Sequence, residues 1–201
     1  MTRRHPLLPL LLLLAGTTIA PAAISQANVV LPVDPPANVD NPRVGGAAMD
    51  RSATIMDNLA RSGDHSRFVE ALEAAGLTGA LRAGGPITVF APTDSAFASY
   101  DSAGDLLKEE NRGKLLDLLR YHVVAGTYDR ANLDARIDAG SDGVANLATV
   151  LGKRIGVSRS VRVYTLTDAT NNTATITIGD VYQGNGVMHV IDAVLMPEDD
   201  S

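Results

Sequence analysis

The chain has 201 residues, of which 45% are hydrophobic and 4% aromatic, so its core must be built mainly from leucine, valine, isoleucine and alanine. Its formal net charge is −6. This charge disfavours nucleic acid and anionic lipid surfaces as partners, because both select for lysine and arginine. The absence of cysteine excludes a thiol nucleophile, a disulfide framework, a thiolate metal site, an iron–sulfur cluster and a lipidated N-terminal cysteine.

Residues 1–27 have the three-part pattern of a secretory signal peptide. A basic start with Arg3 and Arg4 precedes a leucine-rich run, Leu7 to Ala15, and small residues then lead to a cleavage motif at Ser25 to Ala27. Cleavage after Ala22 or after Ala23 is the competing position, and an uncleaved N-terminal anchor is the alternative interpretation. The apolar run is shorter than the roughly 20 residues of a membrane span. We therefore expect a secreted or periplasmic protein without a stable membrane span after cleavage.

The mature sequence divides into three parts by composition. Residues 28–50 are rich in proline, asparagine and aspartate, which predicts an extended linker. Residues 51–197 carry the apolar periodicity of one folded domain, without an internal repeat. Residues 198–201 form a short acidic tail that we expect to be solvated.

The first half of the domain has the apolar spacing of helices. One apolar stripe lies in Ile55–Leu59, and a second falls at i, i+3, i+4 and i+7 in Phe68–Ala75. A short turn of helix at 77–81 and a strand at Ile87–Phe90 follow. Leucine spacing then predicts two further helical segments between Asp105 and Arg120.

The second half changes to the period of two that is typical of strands. Apolar residues alternate with threonine in Thr173–Ile178, and Val161–Thr167 is predicted to pair with it across a turn at 168–172. Val187–Met196 is apolar on both faces, which predicts a buried central strand. Helices followed by strands within one block predict an α+β fold.

Three segments resemble the signature of one family when they are taken together. They are a Thr-Val-Phe-Ala-Pro-Thr-Asp-Ser-Ala-Phe box at 88–97, a Tyr-His-Val-Val motif at 121–124, and an Asn-Gly-Val-Met-His-Val-Ile-Asp-Ala-Val-Leu-Met-Pro box at 185–197. In this order and separation the sequence closely resembles the fasciclin-like (FAS1) domain, over about residues 53–197. The resemblance implies a β-wedge with helices packed along one side, and a role in adhesion or binding at cell surfaces and matrices. Many relatives have several copies or a membrane anchor, whereas one copy and no anchor are visible here.

The first box contains residues that we expect to be structural. Pro92 makes a sharp corner after the strand, and Thr93 or Asp94 is expected to cap the helix that follows. Phe97 then returns its ring to the core. The alternative is a helix N-terminus that receives an anion, which the carboxylate of Asp94 disfavours.

Tyr121 and His122 are the candidate binding residues, since the family motif that they resemble is tied to adhesion. The alternative is that both rings pack internally and hydrogen-bond the backbone, because core-type leucines and valines flank them.

In the second box, Asn185 and Gly186 form a turn signal because both residue types tolerate positive φ. His189 is expected to be a core or edge histidine. Asp192 is expected to bond to the backbone or to a nearby cation.

No catalytic residue, cofactor or metal site is predicted. The sequence has no Gly-x-Ser-x-Gly elbow, no Walker loop and no His-Glu-x-x-His motif. The histidines at 65, 122 and 189 are far apart in sequence, so a metal site would need them to cluster in space. A glycosylation acceptor pattern begins at Asn171, where a polar turn is the other interpretation.

Two functions of different classes remain open. The first is a secreted binding module for a cell-surface protein or glycan, acting in adhesion. The second is a carrier of an apolar small molecule such as a carotenoid or a lipid, with a groove walled by Val187–Met196 and the helices at 55–59 and 68–75. A hydrolase has no support beyond the presence of serine, histidine and aspartate.

Overall fold

The computed structural model describes residues 40–100 and 104–198. The predicted signal peptide, residues 28–39 of the predicted linker, and residues 199–201 of the tail lie outside the described residues. Glu198 is exposed, and its carbonyl accepts a hydrogen bond from the Lys153 ammonium.

The described chain contains helices in its first half and strands mainly in its second, which confirms the α+β class. The helices are α1 (Ile55–Leu59), α2 (Ser66–Ala74), α3 (Thr78–Ala83), α4 (Asp94–Tyr100), α5 (Arg112–Tyr121) and α6 (Arg130–Ala139). The strands are β1 (Arg43–Val44), β2 (Ala47–Ala48), β3 (Ile87–Pro92), β4 (Val123–Ala125), β5 (Val144–Ala148), β6 (Arg154–Ser160), β7 (Val163–Thr167), β8 (Thr173–Gln183) and β9 (Gly186–Ile191).

Seven strands form one curled sheet in the order β4-β3-β9-β8-β7-β6-β5. All neighbours are antiparallel except β3 and β9, which run parallel. A bridge between Val124 and Thr149 brings the two outer strands together, so the sheet is almost closed. This curvature matches the wedge that the family resemblance implies.

Two hydrophobic cores lie on opposite faces of the central strands. Along β3, the side chains of Val89 and Ala91 enter the core that α1, α2, α4 and α5 cover, whereas Phe90 enters the core enclosed by β5–β8 and α6. Burial on both faces explains why β3 and β9 are mostly apolar, with Thr88 and His189 as buried polar exceptions. The predicted central strand from Val187 is confirmed, but it ends at Ile191 rather than at Met196.

The predicted linker is wrong in its last ten residues. Residues 41–50 form the β1–β2 hairpin, which packs on the domain and buries Val44 and Met49. The Asn41 side chain donates to the Tyr182 carbonyl (2.6 Å) and accepts from the Tyr182 N–H (2.9 Å). The physical reason is that two apolar side chains and one amide suffice to attach so short a hairpin to a strand.

The segment between Asp105 and Arg120 is helical in separate pieces, as predicted, but only the last of them is an α-helix. Two 3₁₀ turns, at Asp105–Leu107 and Glu109–Asn111, precede α5. Strands β5 and β6 and helix α6 had no counterpart among the predicted elements.

None of the helices in residues 40–100 and 104–198 combines the length and apolar character that crossing a bilayer requires.

Candidate functional site

The residues of the first box hold the helices to the sheet. The Thr93 hydroxyl accepts a hydrogen bond from the Ala96 N–H (3.2 Å) and so caps α4. Asp94 was expected as an alternative cap of that helix, but its carboxylate faces α2, where it accepts from the Ser66 hydroxyl (2.7 Å) and the Arg67 N–H (2.8 Å). It therefore supplies the cap that α2 lacks, since His65 at that helix's N-cap position makes none.

Phe97 packs in the core as expected. Its ring lies 6.0 Å from that of Phe68, between centroids, and its side chain is buried. The first box is thus structural in each of its predicted residues.

Tyr121 and His122 are both fully buried, so neither side chain can touch a partner directly in this conformation. The Tyr121 hydroxyl donates to the Arg154 carbonyl (2.7 Å) and accepts from the Ala169 N–H (3.0 Å). These bonds tie the end of α5 to β6 and to the β7–β8 turn. The sequence suggested either a binding role or an internal role for this pair. The structure supports the internal role, because the two rings connect elements of the fold and do not face solvent.

His122 connects α5 to the C-terminal segment. The Leu195 N–H donates to its Nε2 (3.1 Å), so the ring proton must be on Nδ1, which donates to the Leu118 carbonyl (2.8 Å). Burial lowers the pKa of His122 to about 4. The hydrogen bond to the Leu118 carbonyl and the charge of the Asp168 carboxylate raise the pKa, but by less. The imidazole is therefore neutral at pH 7, with one defined tautomer.

Asp168 is a structural residue that the sequence reasoning missed. One carboxylate oxygen accepts from the backbone N–H groups of Thr170 and Asn172 and from the Thr170 hydroxyl. The other oxygen accepts from the Met196 N–H (2.9 Å). An aspartate at the start of a predicted turn was the available signal, because its side chain commonly bonds backbone N–H groups two residues on.

The second box also acts structurally, although Asn185 differs from its expected role. Only Gly186 has positive φ, and the Asn185 amide instead donates to the carbonyls of Leu81 and Gly84 and accepts from the Ile55 N–H. It thereby links α1 and α3 to the start of β9.

His189 and Asp192 behave as the sequence indicated. His189 is a core histidine, stacked on Phe90 and donating from Nε2 to the Tyr128 carbonyl (2.7 Å). The Asp192 carboxylate accepts from the Thr175 N–H (2.6 Å), which is the backbone alternative to a cation.

Acid should destabilise the domain through its three fully buried histidines. Burial lowers the pKa of His65, His122 and His189 below the ordinary value of 6.5. The unfolded chain thus takes up protons first, and stability is lost as the pH falls from 6.5 towards 4. For His122 alone the loss is about 3 kcal/mol, at about 1.4 kcal/mol per pKa unit.

Urea unfolding at several pH values between 7.5 and 4.5 would measure this loss. In His122→Gln, which is less stable at pH 7 but cannot take up the proton, the pH dependence should be shallower than in the unaltered chain. Equal slopes in the two proteins would contradict the role assigned to His122.

Two surface features remain once the signature residues are assigned to the interior. The first is the tip of the β6–β7 hairpin, a two-residue loop of Val161 and Arg162 between the paired Ser160 and Val163. Val161 is 92% exposed and Val163 is 50% exposed. Val161 also has a φ of 56°, a conformation that a β-branched residue rarely adopts.

The second feature is an apolar groove of about 330 Å³ between the α2–α3 helices and the strands β3 and β4. Its floor includes Leu72, Leu81 and Val123, and Val150 lies at its exposed rim. Arg120, at the end of α5, is the one charged residue among those that line it.

The walls predicted for a carrier differ from this groove. Ile55, Met56, Phe68 and most of β9 are fully buried core residues, and none of them lines the groove. Among the predicted wall residues, Leu72 of α2 lines the groove. In the described residues, no group of three or more histidine or acidic side chains is arranged to hold a metal ion.

Comparison with known proteins agrees with this arrangement. The Fasciclin domain family model matches residues 63–197. The chain belongs to the fasciclin domain family. This fasciclin domain is 38% identical over 156 residues to Protein sll1483 of Synechocystis, covering 77% of this chain and 79% of that protein.

Two further similarities concern a surface protein and an adhesion molecule. The cell surface glycolipoprotein MPB83 of Mycobacterium bovis is 36% identical over 118 residues, which are 57% of this chain and 45% of MPB83. A solved FAS1 domain pair from the insect cell adhesion molecule Fasciclin I superposes with a TM-score of 0.64 at 18% identity, covering 72% of this chain and 51% of that one. This last likeness supports the fold alone.

Proposed function

We propose that this fasciclin domain is an exported binding module that holds a protein partner at a cell surface or in a matrix through the β6–β7 hairpin tip. Family membership, the cell-surface relative MPB83 and the signal-peptide pattern of residues 1–27 support the location. The observation that carries the proposal is the pair of exposed valines at the tip. Aliphatic side chains favour a protein partner over a glycan, since exposed apolar surface on a folded domain commonly marks protein contacts.

The hairpin presents its tip from a firmly anchored base. Arg159, just before the tip, forms ion pairs with Asp134 (2.5 Å) and Asp138 (3.0 Å) of α6. The Tyr164 hydroxyl, just after the tip, donates to the same Asp134 carboxylate (2.7 Å). An anchored contact loses less conformational entropy on binding than a flexible one, which favours a recognition role.

The backbone of Val161 supports the same role. In two-residue hairpin loops the positions with positive φ are usually glycine, asparagine or aspartate, because other side chains there are strained by about 1–2 kcal/mol. Retaining an exposed valine at this position destabilises the fold, and its side chain contributes nothing to the core. A contribution of the Val161 side chain to binding would account for a valine at this strained position.

Replacing Val161 with glycine should therefore separate stability from binding. We expect Val161→Gly to raise the free energy of unfolding by about 0.5–1 kcal/mol, because relief of strain exceeds the entropy that glycine adds to the unfolded chain. Surfaces coated with the variant should retain several-fold fewer cells of the protein's own host than surfaces coated with the unaltered chain.

The matched control is Val150→Ser, which removes an exposed valine at a distant turn and should leave cell retention unchanged. Undiminished retention by Val161→Gly would rule out the tip as the adhesive contact.

The second candidate function is a carrier of an apolar small molecule, such as a carotenoid or a lipid. The apolar groove between α2–α3 and β3–β4 favours it, because ligand sites are typically concave, mostly apolar and at least about 300 Å³ in volume. Protein purified from its own host should then show a visible absorbance band or release a lipid on solvent extraction. A colourless protein with an empty extract would remove this candidate while leaving the adhesive proposal intact.

A further inference from the structure

We propose that the groove binds the anion of a fatty acid, with the acyl chain along its apolar floor and the carboxylate at Arg120. The inference deepens the carrier function proposed above and is independent of the hairpin tip. It follows from the combination of an apolar groove with a single cation among its lining residues.

The floor of the groove is suited to a hydrocarbon chain. Leu72 and Leu81 come from two helices, and Val123 comes from the first residue of β4, so three separate elements contribute buried aliphatic surface. No lining residue carries an aromatic ring, and none is acidic. An unbranched aliphatic chain gains from such a surface about 0.8 kcal/mol for each methylene removed from water.

The rim shows that part of this apolar surface is open to solvent. Val150 is 53% exposed although its side chain is aliphatic, and Ala80 of α3 is also exposed. The Val150 N–H donates to the Val123 carbonyl (2.7 Å), which fixes the rim against the floor. A chain lying in the groove would cover apolar surface that is otherwise in contact with water.

Arg120 supplies the charge that selects an anion. Within residues 40–100 and 104–198, no carboxylate forms a salt bridge with its guanidinium, whereas Arg82, Arg112 and Arg159 each have an acidic partner. A guanidinium presents paired N–H donors that match the two oxygens of a carboxylate. The ligand expected from this chemistry is an amphiphile with an anionic end.

The geometry also predicts which amphiphiles bind poorly. A cationic head would meet Arg120 as a like charge, and a neutral hydroxyl would gain only one ordinary hydrogen bond. The order of affinity should be dodecanoate, then dodecanol, then dodecyltrimethylammonium. A surface that is merely apolar would not discriminate between the three heads at equal chain length.

Equilibrium dialysis of the purified domain with radiolabelled dodecanoate at pH 7.5, below its micelle concentration, tests the proposal. We expect saturable binding of one dodecanoate per chain, and at least tenfold weaker binding by Arg120→Gln. Dodecanol should bind the two proteins about equally, because the glutamine amide can still donate one hydrogen bond to its hydroxyl. Arg67→Gln is the matched control, since Arg67 is exposed and does not line the groove.

A second variant tests the location without disturbing the core. Ala80→Phe places a ring at the exposed rim, and it should weaken the binding of both dodecanoate and dodecanol while leaving the melting temperature within a few degrees. Absence of saturable dodecanoate binding, unchanged dodecanoate affinity in Arg120→Gln, or full binding by Ala80→Phe would each overturn the proposal. None of these outcomes bears on cell retention through Val161, so the two proposals fail separately.

Discussion

Replacing His122 with alanine is expected to lower the free energy of unfolding by about 4 kcal/mol. The substitution removes a fully buried ring and leaves the Leu118 carbonyl and the Leu195 N–H without their partners. The cavity and the two unsatisfied backbone groups both destabilise the folded state. Urea unfolding followed by circular dichroism at pH 7.5 measures the loss, and an unchanged denaturant slope would show that the change is one of stability.

Tyr121→Phe is the milder companion of this substitution. It keeps the aromatic ring but removes the hydroxyl that bonds Arg154 and Ala169, so a loss of about 1–3 kcal/mol is expected. In both variants adhesion should fall only in proportion to the fraction unfolded. Loss of adhesion in a variant that melts like the unaltered protein would restore the direct binding role that the motif suggests.

Replacing Gly186 with alanine should prevent stable folding. A Cβ atom at this position would lie 1.9 Å from the Ile87 carbonyl oxygen, and the residue has a φ of 155°. Gly186 and Ile87 are paired across the parallel β3–β9 contact, so neither backbone can withdraw without opening the centre of the sheet. We expect a loss of about 4 kcal/mol or more, visible as a collapse of the cooperative melting transition.

Gly113→Ala provides the contrasting control. Gly113 lies in α5, and apart from its chain neighbours and the backbone of its own helix no atom lies within 4 Å of the position that its Cβ would occupy. Alanine there should stabilise the domain by about 0.5–1 kcal/mol, since glycine is a poor helix residue. Equal effects of the two glycine substitutions would show that steric contact at Gly186 is not the cause.

The fold could be predicted from the sequence because its signature elements have strong local patterns. The strand at Ile87, the corner at Pro92 and the alternation after Thr173 depend on residues close in sequence, and all three are present in the structure. Strand β6 was missed although Ile155 and Val157 alternate within it, because glycine, serine and arginine interrupt the pattern.

The hydrogen bonds of the signature residues join positions that are distant in sequence, so they were harder to predict than the fold. Asp94 reaches a helix that begins 28 residues earlier, and Asp168 reaches Met196, 28 residues later. No local pattern predicts such partners. A carboxylate near a turn or a helix start can also accept hydrogen bonds from backbone N–H groups close in sequence, so the sequence does not indicate which partner it takes. For Tyr121 and His122, the flanking leucines and valines did indicate burial.

The exposed features were the least predictable from sequence. Val161 was assigned to a strand, since valine favours strands, but the hairpin register places it in the loop. The groove lies where α2, α3 and β4 meet, with Leu72 and Val123 buried beneath it and Val150 exposed at its rim, which is a property of packing rather than of any one segment.

The position of β9 has a consequence for the order of synthesis. It is the last strand of the described residues, yet it lies between β3 and β8 and separates them within the sheet. A ribosome-bound chain ending before Gly186 would leave two inner strands with open hydrogen-bonding edges, and distant pairings of this kind form late. The domain therefore completes its fold only after nearly all of its residues have emerged, which leaves a long interval in which a chaperone can engage the extended polypeptide.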